Sequence, residues 1–312
     1  MSTYLSNFAK LIMEICQEEE IVCTPLSDYW AFHLEKQKKQ TYIYGYQFAL
    51  NSAASGSICS DKGTASEVMS LQQIPNVEHI CCMSPIKMEY ASPSGNWNRI
   101  EKMLQTHGTL VLKDNHGTGG DLVFHAKTKL ELEHASQLIF SKADSMAISP
   151  YYCVDNEYRV ILLNGEVKLV YSKIRPHLIG DGTSTLLELY IKAVNEKRLP
   201  PESIKQSGSV NFDRVLSKNE IYPLHWKHNL GQGASAELVT DAAKLEDLSE
   251  LAKKAANALQ IPFASVDIIE SDSSLLVLEV NSGVMMEYLA GESTQFRTIA
   301  KEIYREAILQ LF

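Results

Sequence analysis

The chain has 312 residues, 45% of them hydrophobic and 21% charged, the balance of an ordinary globular protein with room for two or three subdomains. Its formal net charge of −9 excludes a nucleic-acid backbone as the main partner, so a bound polyanion has to be held locally, by a few placed lysines and a metal. No apolar run approaches the roughly 20 residues that span a bilayer, and the first residues show no basic segment followed by an apolar one, which predicts a cytoplasmic protein without a signal peptide.

In chain order, residues 4–20 place Leu5, Phe8, Ala9, Ile12, Ile15 and Cys16 at helical spacing. Residues 41–48 read as a strand, and the small residues 51–57 open a second helix. A third begins at Lys62, capped by Ser60 or Asp61, and stops before Ile74-Pro75. A lysine in a first helical turn opposes the helix dipole, which hints at another duty for Lys62. Residues 84–98, with Pro85, Pro93 and Gly95, form a turn-rich link to a helix over 97–105.

Two apolar runs, 110–112 and 122–124, read as paired strands around a loop with Gly117, Gly119 and Gly120 and with Lys113 at its base. Glycines let backbone N–H groups approach an anion, and a lysine adds a point charge, so the loop suits phosphate oxygens. An ordinary hairpin with a flexible tip is the other reading. A helix follows over 129–141, then a strand over 147–154 interrupted by Pro150. Asn164-Gly165 joins the apolar runs 156–163 and 166–174 into a hairpin. Glu157 and Arg159 share one face of its first strand, either as a surface charge pair or as site residues. Thr185 and Glu188 form a capping box for a helix through about Lys197, residues 199–221 are polar and irregular, and helices follow over 245–260 and 298–312. The six cysteines are scattered without a Cys-x-x-Cys pair, and His225 and His228 have no second ligand pair nearby.

Residues 264–269 and 275–280 read as a hairpin. If its loop is centred on Ser273, Asp267 faces Glu279, with Asn281 diagonal on the same side and Val266, Ile268, Leu276, Leu278 and Val280 on the core side. Two facing carboxylates repel, and a hard cation such as Mg2+ resolves the conflict through carboxylate, amide and phosphate oxygens. An exposed acidic tip, or a register shifted by one, is the alternative.

Together these pieces resemble the ATP-grasp superfamily of carboxylate–amine ligases, closest to the cyanophycin synthetase and glutathione synthetase branch. The resemblance rests on the run 173–185 (Lys-Ile-Arg-Pro-His-Leu-Ile-Gly-Asp-Gly-Thr-Ser-Thr), on 229–234 (Asn-Leu-Gly-Gln-Gly-Ala), and on Val-Asp-Ile with Leu-Glu-Val-Asn inside 266–281. It implies an α+β fold of two α/β subdomains with antiparallel sheets gripping ATP. The chain then divides into a short amino-terminal region, 1–59, and an ATP-grasp domain, 60–312, whose subdomains cover about 60–146 and 147–312. By the same resemblance Lys62 and Lys113 are nucleotide lysines, and Gly117, Gly119 and Gly120 form the loop over the β- and γ-phosphates. Tyr151 and Cys153 are adenine-hinge positions, and Glu157 binds the ribose. Asp267, Glu279 and Asn281 hold one or two Mg2+, or Mn2+ in their place. Lys173, Arg175 and Asn229 lie near the transferred phosphoryl group. Two departures stand out: Pro150 replaces the usual hinge glutamate, and only about 60 residues precede Lys62.

The implied activity is ATP- and Mg-dependent amide formation between a small-molecule or peptide carboxylate and an amine, through an acyl phosphate, with a homodimer as the expected assembly. A kinase-type ATP-grasp phosphotransferase and a non-catalytic nucleotide-binding regulator are the alternatives.

Overall fold

The computed structural model describes residues 5–84, 96–196, 198–199, 201 and 210–312. The expected turn-rich link with Pro85, Pro93 and Gly95 lies outside the described residues, as do Lys197 and residues 202–209 of the polar stretch.

Helix α1 (Asn7–Glu18) starts at Ser6, whose hydroxyl accepts from the Ala9 N–H, and it buries Phe8, Leu11, Ile12 and Ile15. An antiparallel meander follows in the order β1 (Val22–Leu26), β2 (Ala31–Lys36), β3 (Lys39–Tyr44) and β4 (Gln47–Phe48). The run expected as one strand over 41–48 is two, because Gly45 turns the chain with φ +55°. Helix α2 (Ala53–Ser60) is capped by Ser52, and α3 (Lys62–Leu71) by Asp61, which accepts from the Thr64 N–H.

Next come β5 (Ile80–Met83), α4 (Asn96–His107), β6 (Leu110–Asp114), β7 (Val123–Ala126), α5 (Lys129–Phe140) and β8 (Ser145–Pro150). Their strands form a sheet in the order β5-β8-β6-β7, covered by α4 and α5 over a core that includes Ile100, Leu110, Leu112, Leu132, Ile139 and Ile148. Pro150 ends β8 rather than interrupting it. It pairs with Leu110 of β6 beyond the last β5 partner, where a missing N–H costs no ladder bond on that side.

Strands β9 (Asn156–Leu163) and β10 (Glu166–Ile174) are joined by Asn164-Gly165 with φ +50° and +78°, the expected hairpin turn. Beyond them lie β11 (His177–Ile179), α6 (Leu186–Asn195) with its Thr185–Glu188 capping box, β12 (Ile221–Pro223) and β13 (Ser235–Leu238). The chain closes with α7 (Ala242–Ala258), the hairpin β14 (Phe263–Ser271) and β15 (Ser274–Asn281), α8 (Glu287–Glu292) and α9 (Thr294–Leu309).

The chain forms two compact units, one of residues through Val170 and from Val239 onward, the other of Tyr171–Leu238. In the first, β14 pairs antiparallel with both β9 and β15, and every residue of β14 but Glu270 is buried. Helix α7 lays Leu248, Leu251, Ala252 and Ala255 onto the side bearing Val160, Val266 and Ile268. Each such fully buried leucine contributes roughly 1.5–3 kcal/mol. The amino-terminal elements belong to the same unit: Phe48 stacks on Tyr304 of α9, Phe8 meets Tyr304 edge-on, and Phe48 meets Phe263 of β14 edge-on. In the second unit the end of β10 pairs with β13, β11 pairs with β12, and α6 packs Leu186, Leu189 and Tyr190 with Leu178 and Leu216. No helix among the described residues is long and apolar enough to cross a membrane.

Candidate active site

Three adjacent strands carry the candidate chemistry. The registers of β9, β14 and β15 align Arg159, Asp267 and Glu279 in one row. The turn of the hairpin is the pair Asp272-Ser273, both with positive φ, which sets Ser271 opposite Ser274. Continued without interruption, that register would put Leu278 opposite Asp267. A β-bulge between Asp267 and Ile268 leaves Leu278 as the extra residue and brings Glu279 into place. The facing carboxylates are therefore present, by a different route from a loop centred on Ser273. The same slip turns Val277 into the core beside Val280, where simple alternation had put Leu276 and Leu278.

Asp267 is 1% exposed. Arg159 grips it with both arms, Nε to Oδ1 and Nη2 to Oδ2 at 2.6 Å each. This planar, charge-assisted fork partners Arg159 with the buried Asp267 of the neighbouring strand. Glu157, two residues away on the same face, lies opposite Ile269. On β15 the Asn281 Nδ2 approaches Glu279 Oε1 at 3.4 Å.

Lys113, on β6, is buried, and burial pushes its ammonium down to about 8. Glu279, Glu157 and Asp267 act against that shift and Lys62 reinforces it, so all five groups share one electrostatic neighbourhood. Lys62 donates from Nζ to the carbonyls of Gly117 at 2.6 Å and Asn115 at 3.2 Å. The unfavourable first-turn lysine thus has a structural duty at the glycine-rich loop. Within that loop Gly119 and Gly120 take φ of +73° and +77°, and a Cβ on Gly117 would sit 2.8 Å from the Asp114 Cβ. Asp114 also accepts from the His116 N–H at 3.0 Å, which folds the start of the loop back on itself.

Tyr151 and Cys153 follow β8 in an extended segment, both exposed, with the Tyr151 N–H bonded to the Thr109 carbonyl at 3.0 Å. Lys173, Arg175 and Asn229 belong to the second unit. There Lys173 is buried on β10, opposite Ala236. His228 is held down to about 3 by burial and by the neighbouring Arg175 and Lys173 charges, so it is neutral at pH 7. Asn229 Oδ1 accepts from the Gly231 N–H at 2.8 Å and caps the short turn Leu230–Gln232. Past the candidate cation ligands, Met286 is wholly buried and Tyr288 is exposed.

Sequence reasoning left Arg159 undecided between a surface charge pair and the site, and it missed two side chains, His79 and Asn115. His79 is buried beside Lys113 and Lys62; its Nδ1 meets the Val77 carbonyl at 2.9 Å, and burial, then those two charges, hold it well below the usual histidine range. Its Nε2 therefore carries the lone pair and, like the buried Asn115 Nδ2, has no hydrogen-bond partner among the described residues. Neither residue belongs to a recognisable motif.

The donors fit a hard cation. Among the described residues no group of three or more His, Cys, Asp or Glu assembles, so the protein offers two carboxylates and an amide. That is the number Mg2+ accepts when phosphate and water oxygens complete its shell. Arg159 occupies one lone pair on each Asp267 oxygen.

Residues 220–306 match the model of the RimK-like ATP-grasp domain. The chain is 30% identical over 165 residues to cyanophycin synthetase of Synechocystis sp., an alignment covering 47% of this chain and 18% of that one. It spans about a fifth of the length of the curated cyanophycin synthetases it matches. A crystal structure of a bifunctional glutathione synthetase from Pasteurella multocida superposes on 97% of the chain and 45% of its own, with a TM-score of 0.60 at 15% identity. D-alanine–D-alanine ligase from Bacillus anthracis covers 84% of the chain and 71% of its own, with a TM-score of 0.54 at 17% identity. The chain has the ATP-grasp fold of these ligases, and over residues 220–306 it matches the RimK-like ATP-grasp domain.

Proposed function

We propose that the protein is an ATP-dependent carboxylate–amine ligase. A substrate carboxylate attacks the γ-phosphorus of ATP to give an acyl phosphate and ADP, and an amine then displaces phosphate to form the amide. The observation that carries this reading is the row Arg159–Asp267–Glu279 in the electrostatic reach of Lys113 and Lys62, beside a glycine-rich loop. It combines a place for a divalent cation with fixed positive charge for phosphates, which is what phosphoryl transfer asks of a protein.

In this reading Asp267, Glu279 and Asn281 hold Mg2+, which neutralises phosphate charge. Lys113 and Lys62 supply point charges to the phosphates, and Glu157 takes the ribose. Tyr151 and Cys153 meet the adenine through backbone groups, so Pro150 does not prevent nucleotide binding. Gly117, Gly119 and Gly120 bring N–H groups to the β- and γ-phosphates, and the loop keeps water from the acyl phosphate. Lys173, Arg175 and Asn229 serve the acyl transfer. No side chain has to act as nucleophile, because positioning and charge suffice. The substrates are a small-molecule or peptide acid and an amine.

The test is phosphate release from ATP over a matrix of amino acids and short peptides. The proposal predicts release that requires an acid and an amine together. ADP formation with a single acceptor that itself becomes phosphorylated, with neither free phosphate nor amide product, would point to a phosphotransferase, and nucleotide binding without turnover over the whole matrix would point to a regulatory protein.

A further inference from the structure

The segment just past the candidate cation ligands is fastened by residues from far upstream. Val284 donates its N–H to the Tyr46 carbonyl at 3.2 Å. Glu287 accepts from the Tyr46 hydroxyl at 2.5 Å and from the Asn7 N–H at 3.0 Å. The most specific of these links is Asn51. Its Nδ2 donates to the Phe263 carbonyl at 2.7 Å and to the Ser282 carbonyl at 3.1 Å, and its Oδ1 accepts from the Phe263 N–H at 2.9 Å.

Those three bonds sit at the open end of the β14–β15 hairpin. Its last ladder pair is Ser265 with Asn281. Phe263 begins β14, and Ser282, itself buried, is the residue after Asn281. The Asn51 amide engages both main-chain groups of Phe263, as a neighbouring strand's peptide would, and with the same nitrogen holds the carbonyl of Ser282. It is a side-chain rung that ties the two strands together where their own pairing stops. Three ladder pairs in from that open end lies the bulge that aligns Glu279 with Asp267. The Glu279–Asn281 segment is therefore held between a bulge and the Asn51 rung.

We propose that Asn51 is a positioning residue of the cation site: it fixes the Ser282 carbonyl and with it the directions in which Asn281 and Glu279 present their oxygens. The inference rests on the reading of Glu279 and Asn281 as cation ligands. It gives the amino-terminal 59 residues a role in the proposed chemistry, because α1, the meander and Asn51 then buttress the cation ligands from outside the nucleotide-binding segments. Asn is suited to the task, since one short side chain offers a donor pair and an acceptor in a fixed plane. Neither Asp nor Leu reproduces that set.

The test measures Mn2+ affinity directly, by the paramagnetic resonance signal of free Mn2+, with the full-length protein saturated by a non-hydrolysable ATP analogue. Asn51→Ala should bind Mn2+ roughly tenfold more weakly, a change of about 1.4 kcal/mol, the scale of one lost hydrogen bond. Asn51→Asp keeps the acceptor for the Phe263 N–H but loses the donor to the Phe263 and Ser282 carbonyls, and should weaken binding to a similar extent, which provides a second reading should the alanine variant fold poorly. Ser55→Ala is the control: it removes the bond from Ser55 Oγ to the Gln260 carbonyl, 2.9 Å, from the same helix region without touching the hairpin end. It should lower the melting temperature and leave Mn2+ affinity within about twofold of the parent, on the usual scale of a single hydrogen bond lost elsewhere. Glu279→Gln separates the two layers. If it weakens Mn2+ binding while both Asn51 variants bind as the parent does, the positioning role is overturned and the cation site stands. If Glu279→Gln leaves Mn2+ affinity unchanged, the cation site itself is wrong and the role of Asn51 falls with it.

Discussion

Replacing Arg159 with methionine tests whether the row of charges is built as described. Methionine keeps much of the length of the arginine stem and removes the guanidinium. Asp267, at 1% exposure, then loses two charge-assisted bonds of 2.6 Å in a strand where its neighbours on both sides are buried. Each such bond is worth about 1.5–3 kcal/mol, and stripping one partner from a buried ion pair commonly costs about 3–5 kcal/mol, because the remaining charge is desolvated without compensation. We therefore expect Arg159→Met to lose about 3–5 kcal/mol in urea unfolding followed by circular dichroism. The double variant Arg159→Met with Asp267→Leu should recover a large part of that loss, since an apolar pair of similar volume carries no desolvation cost. A loss below about 1 kcal/mol for the single variant, the size expected of an exposed pair, would refute the buried fork and with it the alignment of the three strands.

Three further expectations follow from the same site and its surroundings. Glu279→Gln should keep the melting temperature within a few degrees of the parent and sharply reduce Mg2+-dependent turnover; parent-like turnover at saturating Mg2+ would remove Glu279 from the cation site. Lys113 is charged below about pH 8 and loses its proton above it, against an ordinary 10.5, so ATP affinity should fall as pH rises through about 8. Over the window from about 8 to 10.5 the unfolded chain binds the extra proton, so the ligand-free fold should gain stability as pH rises. Calorimetry from pH 7 to 9.5 checks the affinity, and Lys113→Arg, charged throughout, should flatten it; a parent profile flat over that range would count against the lysine. In the second unit a Cβ on Gly180 would lie 2.1 Å from the Ser217 carbonyl oxygen and 2.6 Å from the Leu216 Cβ, so Gly180→Ala should cost about 2 kcal/mol or more. Amide exchange should then accelerate in β11 and β12, and unchanged protection there would contradict the packing.

What was legible in the sequence was local. The Asn164-Gly165 hairpin, the Thr185 capping box and the amphipathic face of α7 lie where spacing and turn chemistry put them. Strands β1 and β2 carried no comparable signal, because the turns that bound them use Ser27, Asp28, Tyr29, Gln37 and Lys38 at positive φ, with no glycine to mark them. The facing of Asp267 and Glu279 could be read from alternation, while the bulge that produces it could not: a two-residue turn without glycine and one extra leucine look like uninterrupted alternation. Arg159 and Asp267 are 108 residues apart and Asn51 and Phe263 are 212 apart, so their partnerships depend on which strands become neighbours. The limit between the compact units falls inside β10, and a strand continuous across it leaves no loop-like composition to announce the boundary.

The central claim is amide formation through an acyl phosphate, and the fate of the carboxylate oxygen tests it most directly. With an acid and amine pair that supports turnover, oxygen-18 is placed in the substrate carboxylate and the products are analysed by mass spectrometry. The account predicts ADP as the nucleotide product and one labelled oxygen in the released phosphate, because that oxygen attacks phosphorus and leaves with it. Label recovered in AMP, with pyrophosphate as co-product, would contradict it.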